Sequence, residues 1–149
     1  MNKLYILKDV TSEDLIKKIA DDYNIKNYKI IKNEYGKPYF ENNDIYFNIS
    51  NSDSVVVAAV SDKEIGIDIQ KIKYNEAIVN RTFTESEKQY LNKSSDKKKA
   101  FTLIWTMKEC YVKKLGIGVG YGLKNVDTIN MIDKFKVIEY EDYIITIYE

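Results

Sequence analysis

The sequence contains no histidine and a single cysteine, Cys110. These scarcities exclude disulfide bonds within the chain, zinc sites built from cysteine and histidine, and catalysis by Ser-His-Asp or Cys-His groups. Cys110 has no partner in the sequence pattern that would activate its thiol apart from neighbouring lysines, and we assign it no role. Any chemistry therefore has to come from carboxylates, lysines, amides and hydroxyls, together with a hard cation held by oxygen atoms.

Positive and negative side chains are balanced, because the sequence has 23 lysines and arginines and 23 aspartates and glutamates. No positive field is therefore expected to attract nucleic acid or an anionic membrane surface. Residues 1–8 lack the continuous apolar stretch of a secretion signal, and no segment reaches the length of a transmembrane helix. We expect a cytoplasmic protein that has neither a membrane nor a nucleic acid as partner.

Apolar residues make up 44% of the 149 residues and charged residues 31%, a composition typical of a globular protein with one core. Apolar alternation and turn residues predict strands over 2–9, 28–32, 44–49, 54–61, 66–69, 126–131, 135–139 and 143–148. Helices are predicted over about 11–23, 84–91 and 100–115, the first two from Thr11 and Thr84 caps, with 93–99 as a connection. This mixture predicts an α+β fold with antiparallel sheets.

A coarse symmetry divides this pattern, because a helix followed by a turn and about three strands occurs once before Ser61 and again after Ala100. We predict one domain of residues 1–149 with two similar lobes, about 1–61 and 62–149. No residue motif repeats between the two halves.

The segment 100–115 is the clearest helix in the sequence. On a helical wheel its core stripe consists of Phe101, Ile104, Trp105, Tyr111, Val112 and Leu115. Lys108 falls near the middle of that stripe, whereas Cys110 projects to the opposite side. A lysine at such a position either extends its ammonium group past its neighbours or reaches a buried anion, because an unpaired buried charge is strongly unfavourable.

Two acidic residues lie where a metal ion could be held. Glu109 and Lys113 are one helical turn apart at the border of the stripe, a spacing also common in surface pairs worth about 0.2–0.5 kcal/mol. Asp68 lies in the predicted strand 66–69, where an acidic side chain needs a partner. It is either a turn or capping residue or a ligand of a hard cation, since two carboxylates and phosphate oxygens form an incomplete Mg²⁺ shell.

Glycines recur after the helix, at Gly116, Gly118, Gly120 and Gly122. A loop that binds phosphate usually lies between a strand and the start of a helix, and this run follows a helix instead. The pattern therefore predicts a helix C-cap and a flexible loop.

Five blocks occur in the order 36–39 (GKPY), 47–52 (FNISNS), 66–71 (GIDIQK), 83–87 (FTESE) and 105–113 (WTMKECYVK). In order and spacing they resemble the signature blocks of Sfp-type 4'-phosphopantetheinyl transferases, over about residues 34–122. The resemblance implies the fold of that family, two pseudo-symmetric α+β lobes with antiparallel sheets. It also implies that coenzyme A and Mg²⁺ bind in the cleft between the lobes.

The resemblance implies roles for the acidic residues. Asp68 and Glu109 would ligate Mg²⁺, which also binds the pyrophosphate of coenzyme A. Gln70 stands where many members of the family have a further acidic ligand, so an amide oxygen or a water would fill that place. Glu109, or a water held by the metal, would take the proton from a serine of an acyl or peptidyl carrier protein. Lys113 would stabilise or protonate the departing adenosine bisphosphate.

Other residues would contact the coenzyme. Lys108 would lie beside its phosphates, and Lys37, Ser50 and Asn51 would contact its nucleotide end. Asn51 stands where a histidine is common, so a cation near the 3'-phosphate would be replaced by a neutral donor. The N-terminal lobe is also shorter than in longer members, and basic residues that bind the nucleotide there have no identifiable equivalents.

The leading hypothesis is a transferase that moves 4'-phosphopantetheine from coenzyme A to a serine of an apo acyl or peptidyl carrier protein. Gln70 and Asn51 motivate an alternative, a non-catalytic relative that binds a carrier protein or a nucleotide. A third reading, a metal-dependent nuclease using Asp68, Glu109 and Lys113, is disfavoured by the balanced charge. The mechanism requires that Asp68 and Glu109 converge on one divalent ion.

Overall fold

The computed structural model describes residue 1, residues 3–118 and residues 122–149. The elements in chain order are β1 (Lys3–Lys8), α1 (Ser12–Asp22), β2 (Ile30–Lys32), β3 (Pro38–Phe40), β4 (Tyr46–Ser52), β5 (Val55–Ser61), β6 (Gly66–Lys71), α2 (Glu76–Thr82), α3 (Glu85–Lys93), α4 (Lys97–Leu115), two 3-10 helices (Leu123–Asn125 and Ile129–Lys134), β7 (Lys136–Tyr140) and β8 (Tyr143–Tyr148). The predicted α+β class is confirmed.

The strands form two three-stranded sheets and a two-stranded hairpin. The first sheet has the order β1-β5-β4, the second is β6-β8-β7, and β2 pairs with β3. All neighbouring strands are antiparallel, as predicted. The predicted hairpin is β4–β5, whose strands meet at Ser52 opposite Val55, and Asp53 makes the turn with a φ of 51°.

Side chains rather than a backbone ladder join the two larger sheets along a seam between β4 and β6. Asn48 Oδ1 accepts a hydrogen bond of 2.8 Å from the Ile67 N–H, and Ser50 Oγ accepts one of 3.4 Å from the Ile69 N–H. Both asparagine and serine are buried. The seam therefore satisfies backbone donors of β6 that would otherwise be buried without a partner.

The apolar side chains form three clusters, which place helices on the outer sides of the sheets. The first joins α1 to the first sheet, the second lies between the two larger sheets, and the third surrounds α4. Ile67 and Ile69 belong to the second cluster. Because side chains alternate along a strand, Gly66, Asp68 and Gln70 lie on the opposite face of β6, the face that α4 covers.

Gly66 lets β6 approach α4 closely. A Cβ atom at this position would lie 2.3 Å from the Cys110 carbonyl oxygen and 2.6 Å from the Lys114 backbone nitrogen. A side chain would fit there only if the helix shifted, because neither backbone atom can move independently of α4. The contact brings the strand that carries Asp68 against the turns of α4 that carry Glu109 and Lys113.

Helix starts follow the predicted caps at Thr11 and Thr84, each of which forms a complete capping box. The predicted connection 93–99 is largely helical, and α4 begins at Lys97, because the Asp96 side chain caps it by accepting a hydrogen bond of 3.1 Å from the Lys99 N–H. Helix α2 was not predicted; it starts at the Asn75 cap.

The predicted strand 126–131 is wrong, because a 3-10 helix spans Ile129–Lys134 instead. The Val126 carbonyl oxygen and the Thr128 N–H are hydrogen-bonded to the side chains of Lys108 and Glu87. These backbone groups are therefore not available to a strand ladder.

The predicted helix C-cap after α4 is confirmed, because Gly116 ends the helix in the αL conformation. Gly120 of the predicted glycine loop and Asn2 of the first predicted strand lie outside the described residues.

Helix α4 is buried on more sides than the predicted stripe. Cys110 is fully buried, so the prediction that it projects away from the core is wrong, and Leu115 of the stripe is 43% exposed. The helix contacts β6, β8 and α3, so more than one of its faces is buried.

In the described part of the chain no helix is long and apolar enough to cross a membrane. A cytoplasmic location and the division into two lobes stay predictions.

Candidate active site

A cleft of about 810 Å³ brings most of the predicted site residues together. Its walls come from α1, the β2–β3 hairpin, β4, β6 and α4. Six of the residues predicted for the site line it: Ser50, Asn51, Asp68, Gln70, Glu109 and Lys113. The two acids that the mechanism requires therefore face one cavity, although they are far apart in the sequence.

Asp68 is 3% exposed and lies in the middle of β6, opposite Thr146 of β8. The reading of Asp68 as a turn or capping residue is therefore wrong. Its Oδ1 accepts hydrogen bonds of 3.0 Å from both Ser50 Oγ and Lys113 Nζ, and its Oδ2 accepts one of 2.9 Å from Gln70 Nε2. These three donors satisfy a carboxylate that strand burial would otherwise leave without partners.

Glu109 lines the same cleft one turn before Lys113 on α4. Burial raises the pKa of its carboxyl group, the negative charge of Asp68 raises it further, and Lys113 opposes the shift. No hydrogen bond or ion pair to this carboxylate occurs within residues 3–118 and 122–149. Glu109 is therefore free to bind a cation or a proton.

The donor set suits a hard divalent cation. Asp68 and Glu109 would supply two carboxylates, and Gln70 would supply an amide oxygen if its side chain turned its nitrogen away from Asp68. No group of three or more acidic, cysteine or histidine side chains that could hold a metal occurs in the described residues. Two carboxylates and an amide leave room for phosphate oxygens and water, which is the usual form of Mg²⁺ sites that also bind phosphate.

Lys108 does not reach the cleft. It is fully buried, and its ammonium group donates hydrogen bonds of 2.7 Å to Glu87 Oε1 and 2.6 Å to the Val126 carbonyl oxygen. Burial lowers the pKa of Lys108, and the Glu87 carboxylate opposes this shift. The prediction that Lys108 lies beside the coenzyme phosphates is therefore wrong, and the alternative of a buried anion is confirmed.

Lys37 is also buried, and its ammonium group is hydrogen-bonded within the protein. Its ammonium group donates to Glu64 at 2.7 Å, to the Ile65 carbonyl oxygen at 3.1 Å and to the Lys114 carbonyl oxygen at 3.0 Å. These contacts join the β2–β3 hairpin to β6 and to the end of α4. Lys37 lines a smaller recess of about 250 Å³ beside the cleft, and the prediction that it contacts a nucleotide stays untested.

Sequence reasoning missed three contributions to this region. Glu87 completes the capping box of the predicted Thr84 cap, and it also holds Lys108. Glu13 of α1 and Lys32 of β2 line the cleft. No local pattern marks Glu13 or Lys32, because their position depends on how α1 and the hairpin pack against the rest of the fold.

The antiparallel α+β fold encloses a cleft in which the carboxylates of Asp68 and Glu109 and the ammonium group of Lys113 line one cavity. The chain belongs to the 4'-phosphopantetheinyl transferase superfamily, whose sequence profile matches residues 64–146, more than half of the chain. This match confirms the family resemblance. It includes Asp68, Glu109 and Lys113.

Several curated proteins are similar to this chain. The 4'-phosphopantetheinyl transferase gsp of Aneurinibacillus migulanus is 40% identical over 118 residues, which cover 75% of this chain and 49% of that protein. The 4'-phosphopantetheinyl transferase Sfp of Bacillus subtilis strain 168 is 38% identical over 94 residues, 60% of this chain and 42% of that protein. The fatty acid synthase subunit alpha of Penicillium patulum is 34% identical over 76 residues, 46% of this chain and 4% of that protein. The chain spans about half the length of the transferases that it matches, or less.

Proposed function

We propose that this chain transfers the 4'-phosphopantetheine group from coenzyme A to a serine of an acyl or peptidyl carrier protein, with Mg²⁺ as cofactor. The observation that carries the proposal is the cleft in which Asp68, Glu109 and Lys113 meet. Membership of the superfamily supports the same reaction. The names of similar proteins, which include 4'-phosphopantetheinyl transferases, are consistent with it.

Four residues that line the cleft would act directly in this reaction, namely Asp68, Gln70, Glu109 and Lys113. Asp68, Glu109 and Gln70 would hold Mg²⁺, which would supply positive charge to offset the negative charge of the coenzyme A pyrophosphate. Glu109, directly or through a water, accepts the proton of the attacking serine hydroxyl. Lys113 exchanges its contact with Asp68 for the departing adenosine 3',5'-bisphosphate and stabilises its charge.

The remaining polar residues orient these groups. Ser50 donates to Asp68 Oδ1 and so fixes the carboxylate against the seam between β4 and β6. Gln70 donates to the other oxygen of Asp68, and a bound metal would require the amide to present its oxygen. Asn51 lines the cleft as a neutral donor for the nucleotide.

The direct test incubates the chain with Mg²⁺, coenzyme A and several unmodified carrier proteins, and follows the mass of the carrier serine. We expect addition of phosphopantetheine. Glu109→Gln and Lys113→Gln should each lower the rate by about a hundredfold or more, because the first removes the proton acceptor and the second removes the cation that stabilises the leaving group. Lys99→Gln is the matched control, since Lys99 lies on the same helix and is exposed.

Three outcomes would contradict the proposal. Absence of transfer to every carrier, with a cooperative unfolding transition that shows an intact fold, would reject the enzyme. Binding of coenzyme A or a carrier protein without transfer would favour the non-catalytic relative that Gln70 and Asn51 suggest. Nicking of plasmid DNA that Glu109→Gln abolishes would favour the nuclease.

A further inference from the structure

The ammonium group of Lys37 lies at the junction of β6 and α4. Its hydrogen bonds to Glu64 Oε2 and to the carbonyl oxygens of Ile65 and Lys114 use all of its N–H groups. Burial lowers the pKa of Lys37, and the Glu64 carboxylate opposes this shift. The charge of Lys37 is therefore already directed at protein acceptors, and a ligand would have to displace one of them.

The two carbonyl oxygens belong to the elements that carry the proposed metal ligands. Ile65 directly precedes β6, the strand of Asp68. Lys114 lies in the last turn of α4, the helix of Glu109. A cation at the C-terminus of a helix is also favoured by the helix dipole. One side chain thus binds both elements beside Gly66, where the strand and the helix approach most closely.

A second side chain of the β2–β3 turn supports this attachment. Asn33 Nδ2 donates a hydrogen bond of 2.8 Å to the carbonyl oxygen of Gly116, the C-cap of α4. Asn33 Oδ1 accepts hydrogen bonds of 2.9 Å and 3.0 Å from the N–H groups of Tyr35 and Lys37. The asparagine therefore orders the turn and attaches it to the end of the helix, which holds Lys37 in place.

We propose that Lys37 and Glu64 are positioning residues of the transferase. Together they fix the spacing between β6 and α4, and hence between Asp68 and Glu109. They act on the rate of transfer and on metal binding rather than on the affinity for coenzyme A. The inference rests on the proposed function, because it takes Asp68 and Glu109 as the metal ligands. It gives Lys37 a role other than the nucleotide contact that the family resemblance implies.

Steady-state kinetics separate positioning from ligand contact. Lys37→Met removes the ammonium group and keeps an unbranched side chain. It should lower kcat by roughly tenfold to a hundredfold, because a displacement of about 1 Å in a reacting group has effects of up to this size. The KM for coenzyme A should stay within about twofold of wild type. Lys29→Gln is the matched control and should change neither constant, because Lys29 is an exposed lysine next to the same hairpin, outside the residues that line the cleft and the recess.

Metal binding gives a readout that does not require transfer. Mn²⁺ takes the same oxygen ligands as Mg²⁺, and electron paramagnetic resonance measures its free concentration. Lys37→Met should weaken Mn²⁺ binding about tenfold, as is typical when the support of metal ligands is lost. Asp68→Asn removes a proposed ligand and identifies which bound ion occupies the cleft. The affinity for adenosine 3',5'-bisphosphate, measured by calorimetry without divalent ions, should be unchanged in Lys37→Met.

Glu64→Gln tests the pair while Lys37 is present. The Glu64 side chain is 43% exposed, so this variant should fold even if Lys37→Met does not. It should lower kcat severalfold, and it should add little to Lys37→Met because Glu64 acts through Lys37. A lysine that contacts the nucleotide predicts the opposite result, since Glu64→Gln would release its ammonium group and tighten bisphosphate binding.

The outcomes distinguish this inference from the proposed function. A tenfold rise in both the KM for coenzyme A and the Kd for the bisphosphate in Lys37→Met, at unchanged kcat, would overturn the positioning role and leave the enzyme intact. So would a Lys37→Met variant that unfolds at lower urea but keeps the kcat and Mn²⁺ affinity of wild type. If wild type does not transfer, weaker Mn²⁺ binding in Lys37→Met would reject the enzyme alone, whereas equal or absent Mn²⁺ binding would reject both.

Discussion

Replacing Lys108 with methionine keeps most of the side-chain volume and removes a positive charge from the interior. Both Lys108 and Glu87 are fully buried. In the variant, Glu87 keeps hydrogen bonds from the Thr84 N–H and from the N–H and hydroxyl of Thr128, but loses its counterion. The Val126 carbonyl oxygen loses its donor as well. Glu87 would then be a buried carboxylate without a counterion.

Breaking a buried ion pair on one side typically lowers the free energy of unfolding by about 3–5 kcal/mol. Domains are stable by only about 5–15 kcal/mol, so Lys108→Met should remove a large part of the total. For a chain of this size the corresponding fall in Tm is roughly 6–20 °C. The effect should also extend to residues 126–128, because the pair holds this segment against α3 and α4.

Urea denaturation followed by circular dichroism measures the loss. Lys99→Met is the matched control, because Lys99 forms an exposed pair with Glu139 at 3.5 Å on the same helix, and such pairs are worth about 0–1 kcal/mol. The double variant Lys108→Met/Glu87→Gln removes both charges. It should recover at least about 2 kcal/mol relative to the sum of the two single variants, since the amide leaves no unpaired charge.

The double variant keeps the test decisive if Lys108→Met does not fold. A folded double variant beside an unfolded single variant is the expected pattern. The reasoning is refuted if Lys108→Met and Lys99→Met unfold at the same urea concentration with the same slope, or if the two effects simply add. Either result would mean that Lys108 and Glu87 do not compensate each other in the interior.

Three further predictions concern the junction of β6 and α4. Gly66→Ala should lower the free energy of unfolding by about 1–3 kcal/mol and reduce transfer, because the new methyl group meets backbone atoms of α4; an unchanged urea midpoint would contradict the close approach. Because the folded pKa of Glu109 is raised by burial and Asp68, the ionised group destabilises the fold at neutral pH, and this effect disappears as the pH falls below the unfolded pKa. Glu109→Gln should therefore have a free energy of unfolding about 0.5–2 kcal/mol higher than wild type at neutral pH. This difference should disappear at about pH 4, where the carboxyl group is protonated in the unfolded chain. An equal difference at both pH values would disprove the prediction. Burial raises the pKa of Cys110 to about 12, so the native thiol should react with a disulfide reagent only as fast as the protein unfolds, and rapid reaction in the folded state would show that the thiol is accessible.

The features that could be predicted from the sequence are those with a local cause. The Thr11 and Thr84 caps satisfy nearby backbone donors, and the β4–β5 hairpin follows from two apolar runs around Asp53. The residue pattern left the grouping of Asp68 with Glu109 as one of two alternatives, and the family resemblance favoured it. That grouping agrees with the cleft, whereas the catalytic roles of both residues await the transfer assay.

The features that could not be predicted depend on distant partners. The family resemblance implies that Lys108 lies beside the phosphates, whereas its anion in the structure, Glu87, lies 21 positions away and has no local pattern that links it to Lys108. The same pair explains why the apolar alternation of 126–131 was misleading, since it binds the backbone of that segment. Lys32 has no local signal at all, because only the folded hairpin places it on the wall of the cleft.

Ser50 has a consequence for how site mutations are interpreted. One hydroxyl oxygen accepts from the backbone of Ile69 and donates to the carboxylate of Asp68. A single atom thus takes part both in joining the sheets and in orienting a proposed metal ligand. Loss of activity in Ser50→Ala would consequently mix a mechanical effect with a chemical one, and only a parallel measurement of unfolding could apportion the two.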